Sequence, residues 1–293
     1  MVTGSLFLCS IVSSHFLPVH THQMTTDEAI TYFNALRFSQ FSLTDRDLPH
    51  HLPRIIVIGT SLTRNAFFFD GEMEDFARKN GFTEIKFMRI VKPGATLADF
   101  TPLLDFITNA EPDAVFLESN MFVLDFNAPA RNKLRSMIGT LLPGRKEQYL
   151  IGIEDNFASH KELPQEGVQR QTHKDIAFFR EFRSTTRLRR FMLPDAYITF
   201  LDTLKRRGIP VVMLDLTRSP EAASAYPPGI MDAVPQLIRR YQDTYGLQYL
   251  EFPYSLGLQY YSDFAHMNER GRTVYCRWFL SELPNVVMKA IVK

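Results

Sequence analysis

A carboxylate stands three residues ahead of an imidazole in the run SDFAHMNERGR, where Asp263 precedes His266 just before a helix expected to begin at Asn268. At that spacing the carboxylate can accept a hydrogen bond from one ring nitrogen and fix the tautomer. The other nitrogen is then free to take a proton from a nucleophile. Ser61, in IIVIGTSLTR far upstream, supplies one. It follows a β-branched apolar run and precedes a helical pattern, a place that turns a hydroxyl outward among backbone N–H groups. The segment lacks the second glycine of a G-x-S-x-G elbow, and a strand-Gly-x-Ser turn alone is more often a helix cap or a phosphate loop. The two ends together imply serine-dependent hydrolysis or acyl transfer.

The elements that must bring these ends together alternate in type. Ile55 to Ile58, bounded by Pro53 and Gly59, predicts a buried parallel strand. AFFFDGEMEDFARKNG predicts a helix closing at Gly81, and EIKFMRIV a strand. A helix is expected from about Thr96, with Asp99 in its first turn, followed by the strand DAVFLES. Later come the helix DAYITFLDTLKRRG, the strand PVVMLDL, a helix over MDAVPQLIRRYQDTYG with Pro235 in its first turn, and LQYLEF. The last helix is expected from about Asn268 to Leu283. Thr25 and Glu28 form a capping box for an earlier helix. This alternation predicts a three-layer α/β/α fold on an open, parallel, flavodoxin-like sheet. Residues of about 121–194 show helical patterns and polar loops without a good strand. They read as a helical insertion over the carboxyl ends of the strands, where such folds bind ligands.

With 293 residues, 45% hydrophobic and 22% charged, the chain suits one large globular domain at 24–293. A net charge of +1 removes the bulk-charge case for nucleic acid as a partner. Cys9 and Cys276 give neither a disulfide framework nor zinc spacing. His15, His20 and His22 have no acidic or cysteine partners at ligand spacing, so no metal and no cofactor is expected. Residues 1–23 are apolar but too short for a membrane span, and resemble a weak signal peptide, an anchor remnant or a flexible terminus. Export to the periplasm or a membrane surface is favoured over a cytoplasmic place.

Four blocks in order carry a resemblance: Gly59-Thr60-Ser61-Leu62, Gly94 in VKPGATLADF, Asn120 in FLESNMF, and Asp263 with His266. The chain resembles the SGNH (GDSL-like) hydrolase and acyltransferase superfamily over roughly residues 54–280. The resemblance implies Ser61 as nucleophile, His266 as general base and Asp263 as its orienter. It also implies an oxyanion hole from the backbone N–H groups of Ser61 and Gly94 and the amide of Asn120. The family's first block often has Asp before Ser, where this chain has Thr60. Its third usually reads Gly-x-Asn-Asp, where this chain has Glu118-Ser119-Asn120-Met121. These variants look more like the branch that O-acetylates cell-surface polysaccharides, implying an acylated small molecule or carbohydrate as substrate.

Each residue also has a plain reading. Asp263 is a turn residue, His266 a cap, Asn120 a turn closure, and Pro93-Gly94 a common turn pair. His50 and His51 read as exposed connector residues. The basic run FFREFRSTTRLRR, with Arg180, Arg183, Arg187, Arg189 and Arg190, reads first as a solvated helix face and second as a patch for an anionic substrate or membrane. Arg64, one helical turn beyond Ser61, is a candidate substrate contact or the partner of an acidic neighbour. A non-catalytic SGNH-fold module that holds glycan or a partner protein is the alternative function. A phosphate binder using the GTSLT loop ranks last, because the P-loop lysine and glycines are missing.

Overall fold

The computed structural model describes residues 52–92, 94–125 and 173–291, together with Phe38 and Phe41. The capped helix at Thr25, residues 1–23, His50, His51, Cys9 and the insertion over 126–172 lie outside the described residues.

The apolar run after Pro53 forms β1 (Arg54–Gly59). It pairs in parallel with β2 (Lys86–Val91) on one side and β3 (Ala114–Glu118) on the other. Beyond β3 lie β6 (Val211–Leu214) and β7 (Gln248–Leu250), giving the sheet order β2-β1-β3-β6-β7, parallel throughout. Alternation along the strands divides the core. Ile56, Ile58, Met88, Ile90, Val115, Leu117 and Met213 face one cluster, while Ile55, Val57, Phe87, Phe116, Val212 and Leu214 face the other. A fully buried Ile or Val contributes about 1.5–3 kcal/mol. Both faces are therefore strong drivers, and both need a helical cover.

On the first face lie α3 (Leu104–Asn109), α6 (Asp195–Arg206) and α8 (Ile230–Tyr245). The second is covered by α1 (Ser61–Ala66), α2 (Asp70–Lys79) and α9 (Glu269–Ile291). The result is the expected three-layer α/β/α fold. The chain leaves β1 toward β2 on one side and returns to β3 on the other. That reversal at the carboxyl ends of β1 and β3 is the crevice where open α/β sheets hold ligands.

Several local expectations are revised. The FFF segment does not continue a helix. Phe67 turns extended after α1 and drops its ring into the core, where Tyr275 and Phe279 meet it edge-on. The next helix starts afresh at Asp70, with Glu72 accepting the Phe69 N–H at 3.1 Å. The turns after Thr96 are 3-10 (Leu97–Leu103), with Pro102 inside them, before α3 begins. Pro235 lies in the second turn of α8 rather than the first. The last helix runs past Leu283 and through Pro284 to Ile291, because Val286 still packs into the core beyond the missing hydrogen bond.

Within the described part of the insertion, α4 (Asn120–Val123) leads into β4 (Leu124–Asp125), which pairs antiparallel with β5 (Arg187–Leu188). Two residues per strand fall below what a period-2 pattern can signal. The helix α5 (His173–Arg183) precedes β5, and α7 (Pro220–Ser224) follows β6.

Candidate active site

The tail loop is held from both ends before it presents any chemistry. Asn268 caps α9, its Oδ1 accepting the Gly271 N–H at 3.1 Å, while its Nδ2 donates to Gln259 O at 2.9 Å. A Cβ at Gly271 would lie 2.2 Å from Tyr260 O, so glycine lets the helix start against the loop. Within the loop, the Ser262 N–H donates to His266 O at 2.8 Å. Asp263 Oδ1 accepts the N–H groups of Ala265 and His266 at 2.8 and 2.7 Å, which leaves Oδ2 for the ring. His266 Nδ1 lies 2.6 Å from Asp263 Oδ2, and His266 Nε2 lies 2.9 Å from Ser61 Oγ. With Nδ1 donating to the carboxylate, Nε2 is the acceptor for the serine hydroxyl. The three residues thus form one hydrogen-bonded chain across 205 residues of sequence.

Ser61 is the first residue of α1, after its cap Thr60. As a first-turn amide, its N–H has no acceptor inside the helix. The turn is fixed by a carboxylate that the sequence marks only as a departure in the third block. Glu118, 1% exposed at the end of β3, accepts from Thr60 N at 2.7 Å, from Thr60 Oγ1 at 2.9 Å and from Thr63 Oγ1 at 2.8 Å. It also accepts from Asn120 Nδ2 at 3.2 Å. A Cβ at Gly59 would meet Thr63 Oγ1 at 1.9 Å and Glu118 Oε2 at 2.6 Å, so that glycine is required by the close approach. A signal was present: a glutamate ending an otherwise apolar buried strand cannot be accommodated without donors. The resemblance itself pointed nearby, because the carboxylate missing from the first block reappears in the third.

Asn120, 5% exposed at the start of α4, is tied to the serine turn through Glu118. Its Oδ1 accepts from Arg218 Nη2, a residue the sequence did not single out. Gly94 occupies the exposed turn after β2 with φ 67°, a conformation that suits glycine. Among the described residues no hydrogen bond links Gly94 to Ser61, His266 or Asn120. Arg64 is half-buried in α1, and burial lowers its pKa. Its carbonyl accepts from the buried Arg89, which also donates to Phe67 O and so clamps the end of α1.

The loop after β6 braces the tail from the other side. Ser219 Oγ donates to Phe264 O at 2.8 Å and caps α7. The basic run divides here. Arg180, Arg187 and Arg190 are exposed, but Arg183 is buried, with its guanidinium 5.0 Å from the Phe179 ring and 5.4 Å from that of Tyr226. The Phe179 ring in turn lies 5.7 Å from Phe264 in the tail loop. For Arg183, then, the solvated-face expectation fails, because its guanidinium lies over two aromatic rings and the residue is buried.

Electrostatics separate the acids. Burial works against ionisation of Asp263, but the hydrogen bonds and charge of His266 and the loop amides outweigh it and hold the carboxyl below its ordinary range. Asp215, after β6, goes the other way: burial pushes it up to about 6 against the opposing pull of Arg218. The Cys276 thiol is raised by burial to about 12, which makes it inert. Among the described residues no group of three or more His, Cys, Asp or Glu is placed to hold a metal ion. Among them, too, no helix is long and apolar enough to cross a membrane.

No protein-family model matches the sequence, and no curated protein matches it. Among solved structures the chain is similar to a lipase/acylhydrolase from Enterococcus faecalis, at 12% identity and a TM-score of 0.41, over 80% of this chain and 96% of that one. It is similar to a putative lipolytic protein of the G-D-S-L family from Desulfitobacterium hafniense, at 9% identity and a TM-score of 0.39, over 78% and 98%. A putative platelet activating factor structure from Streptococcus pneumonia follows at 11% identity and a TM-score of 0.37, over 85% and 92%.

Proposed function

We propose that this chain is a serine-dependent esterase or O-acyltransferase, with Ser61 as nucleophile, His266 as general base and Asp263 as the residue that orients it. The observation carrying this reading is the continuous contact from Asp263 Oδ2 to His266 Nδ1 at 2.6 Å and from His266 Nε2 to Ser61 Oγ at 2.9 Å. Ser61 Oγ attacks an ester carbonyl while its proton passes to His266 Nε2. Asp263 stabilises the resulting imidazolium. The tetrahedral oxyanion is met by the backbone N–H groups of Ser61 and Gly94 and by the second amide N–H of Asn120. His266 then returns the proton to the departing alcohol, leaving an acyl-serine. Water as acceptor completes hydrolysis, and a sugar hydroxyl completes transfer.

For the substrate we favour an acetylated carbohydrate, in line with the branch that the Thr60 and Glu118 variants resemble, with Arg64 a candidate contact. Turnover of a chromogenic acetyl ester tests the reading. Ser61→Ala is expected to lower it roughly 10⁴-fold or more. Turnover that survives unchanged in a folded Ser61→Ala protein overturns it.

A further inference from the structure

Of the three proposed oxyanion donors, Asn120 is the one that acts through a side chain, so its orientation depends on what grips its amide. A carboxamide rotated by half a turn would present oxygen where an N–H is needed, and stabilisation would become repulsion. Two charged groups set that choice. Asn120 Nδ2 donates to Glu118 Oε1 at 3.2 Å, and Asn120 Oδ1 accepts from Arg218 Nη2. A carboxylate only accepts and a guanidinium only donates. The flipped amide would set oxygen against carboxylate and N–H against guanidinium, an arrangement unfavourable at both ends. In the observed flip one N–H serves Glu118 and the other remains for substrate.

Arg218 is itself well placed to hold. It immediately precedes Ser219, whose Oγ donates to Phe264 O at 2.8 Å in the loop that carries Asp263. Its guanidinium lies 5.3 Å from the Tyr226 ring. We infer that Arg218 is a positioning residue: with Glu118 it locks the Asn120 amide so that an N–H faces the developing oxyanion. The inference rests on the reading of Asn120 given above.

Kinetics on a chromogenic acetyl ester test it, using wild type, Arg218→Ala, Asn120→Ala and the double variant, each checked for folding by thermal melt. Asn120→Ala is expected to lose about 100- to 1,000-fold in kcat, the cost of one oxyanion donor. Arg218→Ala should lose about 10- to 100-fold in kcat with KM changed less than about threefold, a fraction of that same donor's cost. The double variant should be no slower than Asn120→Ala, because both changes remove one function. Added guanidinium ion should restore part of the Arg218→Ala rate and none of the double variant's.

If Arg218→Ala does not fold, Arg218→Gln takes its place with the same expectation. A folded Arg218 variant with wild-type kcat, beside an impaired Asn120→Ala, overturns this inference alone. So do losses that multiply in the double variant, since Arg218 would then act on substrate directly. A wild-type protein no faster than Ser61→Ala overturns the functional reading beneath it.

Discussion

Two carboxylates serve the same serine by opposite means. Asp263 lies in a loop, its side chain 49% exposed, and takes hydrogen bonds from residues no more than three positions away. Glu118 is buried at a strand end and takes its bonds from Thr60 and Thr63, more than 50 residues earlier, and from Asn120. The first orients the His266 ring, which under the proposed mechanism gains and loses a proton. The second fixes the backbone turn and the Asn120 amide. The proposed chemistry thus sits on a wet, locally tied loop, while the turn geometry is set by a dry, long-range tie. Damage to the loop should cost rate, and damage at the strand end should cost rate and stability together.

The sharpest division is expected from Asp263→Asn. It should lower kcat by roughly 10⁴-fold by favouring the wrong tautomer of His266, while the melting temperature hardly moves. A large fall in stability with modest loss of rate would reverse the assignment. Glu118→Gln comes next. It keeps the shape but places a donor among groups that already donate, and should cost about 2–4 kcal/mol of stability by denaturant titration. Its kcat should fall roughly 10- to 100-fold, through a loosened Asn120 and serine turn. Wild-type stability in that variant would leave Glu118 with no structural role.

The smallest effects lie in pH dependence, where the sign distinguishes Asp263 from a third acid. Asp263 is held below its ordinary range, so its contribution is complete above the unfolded value of about 3.9 and fades as pH falls through the folded one. Its exposure limits that contribution to less than about 1 kcal/mol. Asp215, raised to about 6, acts oppositely: the folded state holds its proton longer, so stability falls as pH rises from about 4 to 6. Asp215→Asn should remove that fall, gaining about 2 kcal/mol at neutral pH relative to pH 4. Urea titrations at pH 4 and 7 that move in parallel for both proteins would contradict it.

The same local-versus-distant contrast explains what the sequence disclosed. The strands were legible because β-branched runs bounded by Pro and Gly have few other uses, and their alternation with helices gave the sheet. Asp263 and His266 were legible because their partnership is an i,i+3 spacing. Glu118 was not, because its donors are set by strand register between β1 and β3 and by the turn that follows β1. Arg218 was hidden for the same reason, reaching Asn120 across 98 residues. The FFF segment misled because three aromatics fit a helical pattern, and only the packing of Phe67 against Tyr275 and Phe279 decided against it. The two-residue pair β4–β5 has too little sequence to carry a period.

The most direct measurement is labelling with a serine-reactive fluorophosphonate, followed by intact mass and peptide mapping. The Ser61–His266–Asp263 chain predicts a single adduct at Ser61, absent from Ser61→Ala and strongly slowed in His266→Ala. A folded wild-type protein that takes no label, or that labels equally well without His266, would contradict the catalytic reading and favour a binding module built on the same fold.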